Sequence, residues 1–365
     1  MESRKVNKRE ENMLAIRNIL IIFLAILMFY VISELSSILL PLVLALLIAI
    51  LFQPLIIFLR RKKVPKLIIL PTVSIITLGV LFIFGLIISD TTAQILEQQD
   101  YLLQRLISKV EQTLEWINSL FGSTLKMDSM IANLSSAENG QAFSNAAGGI
   151  AKGLGNFLGS FTMFSLYYIL LLSGMSEYKR YLRYVGGKTQ SESLLKEYEN
   201  IQHSVFSYML IKTIVSLATG LFTFLTCYFF GVKFAMFWGF TAFILNFIPS
   251  IGSIISAVFP ILMGIIQFDT FQPIFFLALI LFVIQFTLGN LVEPMIMGSR
   301  LRLNTLTVIF GLVFWGYIWG IPGLILSVPL LVIMKIIFER FPSFSMVGRI
   351  MGYPDKNTPH AAIDD

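Results

Sequence analysis

The sequence predicts an all-α, polytopic integral membrane protein with about eight transmembrane regions, two of them Pro-broken helical hairpins, and an external helical segment. Three observations carry this. Of the 365 residues 56% are hydrophobic and 13% are charged, against roughly 25% charged in soluble domains, and the mean hydropathy is +0.81. One core cannot hide that much apolar surface, so a large share must face lipid. Apolar runs also recur at about the 20 residues needed to cross a ~30 Å hydrocarbon layer. Finally, the Lys and Arg behind the net charge of +6 border these runs instead of gathering on one soluble face, which suits a lipid bilayer and not nucleic acid. An ordinary soluble enzyme, a disordered tail and a secreted disulfide scaffold are excluded. The single cysteine, Cys227, lies inside an apolar run and has no intrachain partner.

Taken in order, single apolar runs occupy 14–33, 37–59, 67–89, 155–174, 205–229 and 273–292. The first is too long for a cleavable signal, lacks a small-residue cleavage pattern and is followed at once by a second span. Arg4, Lys5, Lys8, Arg9 and Arg17 precede or open it, which places the N-terminus in the cytoplasm. Counting from there, Arg60, Arg61, Lys62, Lys63 and Lys66 fall inside, as does a loop at 175–200 carrying Lys179, Arg180, Arg183, Lys188 and Lys196.

Two further apolar stretches, 234–266 and 305–338, are too long for one crossing, and each is broken by Ile-Pro near its middle, at Pro249 and Pro322. Treating each as a hairpin that enters and leaves on one side keeps Arg300, Arg302 and the basic C-terminal residues in the cytoplasm. The expected organisation is therefore 1–90, a cytoplasmic tail and three spans; 91–153, external; 154–340, the transmembrane core with both hairpins; and 341–365, a cytoplasmic tail.

The external segment repeats Leu96, Leu103, Leu106, Val110, Leu114, Ile117 and Leu120 at helical spacing, and Gly122 and Ser123 end that helix. Gly149 and Gly153, then Gly155 and Gly159, have the small-xxx-small spacing that lets membrane helices approach. The amphipathic helix and this Gly-rich span offer packing faces for a homo-oligomer.

Catalytic and metal chemistry find no support. Gly187-Lys188-Thr189 resembles the end of a phosphate-binding loop, but Leu182 stands where its first glycine belongs. With two histidines, His203 and His360, no multi-His metal site forms, and no cofactor is called for. Movement of a solute across the membrane remains, and the broken stretches give it positive support. Paired Gly/Pro-interrupted hydrophobic segments mark many secondary transporters, because unwound backbone binds the cargo. Here the pair reads Phe247-Ile248-Pro249-Ser250-Ile251-Gly252-Ser253 with Pro260, and Gly320-Ile321-Pro322-Gly323 with Ser327-Val328-Pro329. Their tips are expected to meet from opposite sides near the midplane, with Asn246 and Ser250 beside them.

Between the hairpins, Glu293 is the carboxylate embedded in the apolar C-terminal half. A charge in that setting marks a partner or a pathway. Asn290 shares its helix face, and Gln285 lies about two turns back. Pairing with Arg300 or Arg302 is the structural alternative. Lys212, a cation within a span, is expected to snorkel to the headgroups.

The segment 205–338 resembles the autoinducer-2 exporter (AI-2E) family of bacterial membrane proteins, also called PerM-type permeases. The likeness rests on Asn246-Phe247-Ile248-Pro249-Ser250-Ile251-Gly252 with Pro260, Glu293-Pro294 followed by Gly298, and Gly320-Ile321-Pro322-Gly323 with Ser327-Val328-Pro329. Pro249, Gly252, Glu293, Pro294, Gly320 and Pro322 match the motif, whereas Asn304-Thr305 departs from the proline many members carry there. The resemblance implies a multi-pass transporter that does not hydrolyse ATP, with members proposed to export autoinducer-2 and others to exchange sodium or lithium for protons. The residues and the likeness together lead to a non-enzymatic transporter of the bacterial cytoplasmic membrane moving a small polar solute. A cation/proton antiporter working through Glu293, and a membrane scaffold acting through its external segment, are the alternatives.

Overall fold

The computed structural model describes residues 2–121, 159–174, 178–297, 303–341 and 344–352. Gly149, Gly153, Gly155, Gly298, Arg300, Arg302 and most of the C-terminal tail lie outside them. Among the described residues the chain is helical throughout, with no strand and one isolated bridge between Leu303 and Gly352.

The helices are α1 (Glu2–Glu34), α2 (Ser36–Arg61), α3 (Lys66–Glu97), α4 (Gln99–Phe121), α5 (Gly159–Gly174) and α6 (Tyr178–Phe229). They continue with α7 (Ala235–Leu245), α8 (Ile251–Gln267), α9 (Phe271–Phe286), a π-helical turn (Thr287–Val292), α10 (Glu293–Met297), α11 (Thr305–Arg340) and α12 (Ser345–Ile350). Among the described residues five stretches are long and apolar enough to cross a membrane: α2, most of α3, the apolar part of α6, α9 through α10, and α11. Shorter apolar helices lie in α1, α5, α7 and α8. The protein is thus an all-α polytopic membrane protein.

Both Pro-broken stretches fold back on themselves. In the first, Trp238 of α7 stacks on Phe259 of α8 across the break, with ring centroids 6.2 Å apart. The break is tight because Gly252 lies against the Leu245 carbonyl, where a Cβ would collide with backbone. Ser250 sits at φ 61°, ψ −50°, and the Ile251 amide bonds the Pro249 carbonyl at 2.6 Å; this is a γ-turn of the rare, strained hand. In the second, Gly320 turns the chain at φ 64°, ψ −143°, a region few residues but glycine enter. Gly323 then packs on the Trp315 carbonyl, and Gly311 packs on Leu331, so the arms of α11 run back along each other.

Two expectations are corrected. The stretch 175–200 is no loop from Tyr178 on, because α6 is helical on both sides of a sharp kink at Gly187 (φ 58°, ψ −163°) and its second arm continues into the apolar span. Leu96 belongs to α3 and not to the external helix, since the chain breaks at Gln98. Asn304 secures the start of α11. Its side chain accepts from the Thr307 amide at 2.7 Å and caps α11, while its amide nitrogen bonds the Ile350 carbonyl at 2.5 Å and ties down α12.

Among the described residues the core has three parts. Trp315 and Trp319 of α11 pack against Leu47 of α2 and Tyr208 of α6. Ala45 and Ala49 of α2 meet Val73 of α3 and Tyr168 of α5, whose hydroxyl lies 2.8 Å from Thr77 Oγ1. At the far end Cys227, Leu277 and Leu281 pack with Leu102 of α4. The outward surface is strongly apolar, with Leu67, Phe229 and Tyr317 all highly exposed, as lipid contact requires.

Candidate functional site

The site is built on α6. Along its buried side stand Tyr208, Lys212, Ser216, Thr219 and Thr223, spaced by four, four, three and four residues, so all lie on one helix face. Lys212 is 2% exposed and does not snorkel. Its Nζ donates to both oxygens of Glu293, at 2.6 Å to Oε1 and 2.8 Å to Oε2. The reason is geometric: the end of the π-helical turn carries Glu293 to α6, and a paired ammonium in the core costs less than an unpaired carboxylate.

One turn along, Asn246 Nδ2 donates to Ser216 Oγ at 2.9 Å, both side chains being buried. Lys212 and Ser216 are neighbours at i, i+4, so Asn246 and Glu293 come to adjacent turns of α6. Gln285 turns elsewhere and donates to Ser256 Oγ of α8 at 2.9 Å, while Ser256 donates to the Ser253 carbonyl at 3.0 Å. Ser253 in turn bonds the Ser250 carbonyl at 2.9 Å, which braces the break.

The remaining expected residues divide. Gly252 and the half-buried Pro249 and Pro322 shape the hairpin tips, and Gly320 supplies the turn of the second. Asn290 and Pro294 are exposed. Asn290 does not share the Glu293 face, because 287–292 is a π-helical turn whose wider winding breaks the i, i+3 register. Ser250 is likewise exposed. The hairpins do approach each other, but across an apolar cavity of about 330 Å³ lined by Phe243, Ile244 and Phe247 on one side and Ile325, Leu326 and Pro329 on the other. The polar groups gather beside that cavity. Tyr208, Ser216, Thr219 and Thr223 escaped the sequence reading, although their spacing within an apolar run is a signal that was there to be read. Among the described residues no three His, Cys, Asp or Glu side chains come together as a metal site needs.

On the side of the molecule where the first hairpin opens, α4 grips it. Arg105 and Lys109 both reach Asp269 in the α8–α9 turn, at 3.0 and 2.9 Å. Lys233, in the turn before α7, donates to Gln98 Oε1 at 2.7 Å and lies 4.0 Å from the centroid of the Tyr101 ring. The Lys109 hydrogen bond and the Arg105 charge hold the Asp269 carboxyl below its usual range.

The family model for AI-2E family transporters matches residues 18–343. The chain is similar to a Haemophilus influenzae protein provisionally named a transport protein, at 30% identity covering 87% of this chain and 90% of that one. It is also similar to the AI-2 transport protein TqsA of Escherichia coli, at 29% identity covering 84% and 86%. A provisionally named transport protein of Borreliella burgdorferi shares 28% identity over 82% of this chain and 80% of its own length. With spans, broken hairpins and sequence in agreement over nearly its whole length, the chain belongs to the AI-2E family of multi-pass membrane transporters.

Proposed function

We propose that the protein is a secondary or facilitated exporter of a small polar solute in the bacterial cytoplasmic membrane, with both termini in the cytoplasm and the 91–153 segment outside. The observation that carries the reading is the Lys212–Glu293 pair, 3% and 18% exposed at the side chains, next to the backbone break that Asn246 links to α6. Charges in a bilayer core persist where they hold or pass something polar. Broken backbone at such a depth is tolerated where protein buries it or it lines a route. Autoinducer-2 is the first solute to test, because the Escherichia coli relative is named for its transport.

Exchange of sodium or lithium for protons is the weaker reading, since the Lys212 ammonium occupies both Glu293 oxygens. The experiment is release of preloaded autoinducer-2 from proteoliposomes. Release well above that from protein-free liposomes is expected. Release at the protein-free rate would sink export of this solute, and collapse of an imposed pH gradient on adding sodium would replace it with exchange.

A further inference from the structure

Going beyond that reading while resting on it, we infer that the solute crosses along the polar face of α6, from Tyr208 to Thr223, and that the Lys212–Glu293 pair is the point it must open. The five residues Tyr208, Lys212, Ser216, Thr219 and Thr223 fall within about an 80° arc of the helix, and they span about 22 Å along its axis, most of a ~30 Å hydrocarbon core. None is more than 3% exposed. The opposite face carries Ile214, Leu217 and Leu221, exposed at 55%, 63% and 52%, as a lipid-facing side must be.

The hydroxyls at the two ends set this face apart from ordinary interhelical glue. A threonine in an apolar helix ordinarily bonds the carbonyl four residues back, as Thr213 does to Met209 at 2.6 Å, Thr219 to Val215 at 2.9 Å and Thr226 to Phe222 at 2.8 Å. Thr223 Oγ1 makes no such bond, and it and Tyr208 Oη are buried without a hydrogen-bond partner among the described residues. Polar atoms kept buried and unbonded are costly, and here they stand at the two ends of one face. Between them Glu293 of α10 and Asn246 from the tip of the first hairpin meet the face at Lys212 and Ser216.

The neighbouring 330 Å³ cavity is the competing route, and its chemistry argues against it. Its hydroxyls, Thr77 and Thr213, are already bonded to Val73 and Met209 carbonyls, and the rest of its lining is apolar. It gives a polar solute only those two hydroxyls in place of water, with no charged or amide side chain in its lining.

The test is cysteine accessibility in the full chain, in membranes during measured solute efflux, starting from Cys227→Ala. A charged, membrane-impermeant methanethiosulfonate reagent is applied to Ser216→Cys, Thr219→Cys and Thr223→Cys, and to Leu217→Cys and Leu221→Cys on the lipid face. Because the thiolate forms in water, labelling of the polar-face cysteines is expected to be at least about tenfold faster than of the lipid-face pair, and modification at Thr219→Cys is expected to stop efflux. Polar-face cysteines that stay as slow as Leu217→Cys while efflux continues would overturn the route. Fast, face-selective labelling in a protein that releases no autoinducer-2 would uphold the route and overturn the choice of solute.

Discussion

Lys212 and Glu293 are 81 positions apart in the chain, and each is buried on account of the other. Removing one leaves its partner a buried, uncompensated charge, whereas replacing both with apolar groups of similar size is often neutral. Lys212→Met and Glu293→Gln are each expected to destabilise the protein by on the order of 3 kcal/mol, tempered by the 18% side-chain exposure that Glu293 retains. The double variant Lys212→Met, Glu293→Leu is expected to recover most of that in thermal unfolding in detergent micelles, yet to remain silent in efflux. Recovery of both stability and efflux would show that the pair only holds the bundle together. Glu293 was legible in the sequence because a lone carboxylate in an apolar half stands out. Its partner was not: the nearer arginines at 300 and 302 follow it closely in the chain, while the through-space neighbour is set by how α6 packs on the end of the π-helical turn.

At the scale of elements, the two hairpins were legible because Ile-Pro followed by Gly interrupts apolar stretches too long for one crossing, and lipid penalises exposed broken backbone. The π-helical turn at 287–292 was not, since nothing in Thr-Leu-Gly-Asn-Leu-Val marks a change of winding, and it moved Asn290 off the face shared with Glu293. The continuation of α6 through its polar first half also escaped, because hydropathy registers the span and is silent on a helix outside it. Both hairpin tips depend on contacts only glycine permits: Gly252 against the Leu245 carbonyl and Gly323 against that of Trp315. Gly252→Ala and Gly323→Ala are each expected to cost at least about 1–3 kcal/mol, the usual range for overpacking, because backbone yields less readily than side chains. Gly79→Ala, with nothing within 4 Å of the added carbon, is the control, expected within about 0.5 kcal/mol of wild type. Equal melting temperatures for all three variants would show that the tips relax freely and are not held by these approaches.

At the scale of the whole molecule α4 is coupled to the bundle through Asp269, which is the joint. It takes hydrogen bonds from both Arg105 and Lys109, so loss of either cation leaves the other in place, whereas Asp269→Asn removes the charge both of them use. The pH dependence has a definite sign. The folded carboxyl is depressed below its ordinary value of 3.8, so the clamp is complete above that value and is lost only as pH falls through the lower folded value. Across about pH 5 to 8 its strength is therefore constant, and any pH dependence of efflux in that window arises elsewhere in the protein. Hydrogen exchange at pH 7 is expected to quicken in the first turns of α4 for Asp269→Asn and to change less for Arg105→Ala. Unchanged exchange in Asp269→Asn would mean that Leu102, packed among Cys227, Leu277 and Leu281, holds α4 down by apolar burial alone, and that the exposed ions set only its orientation.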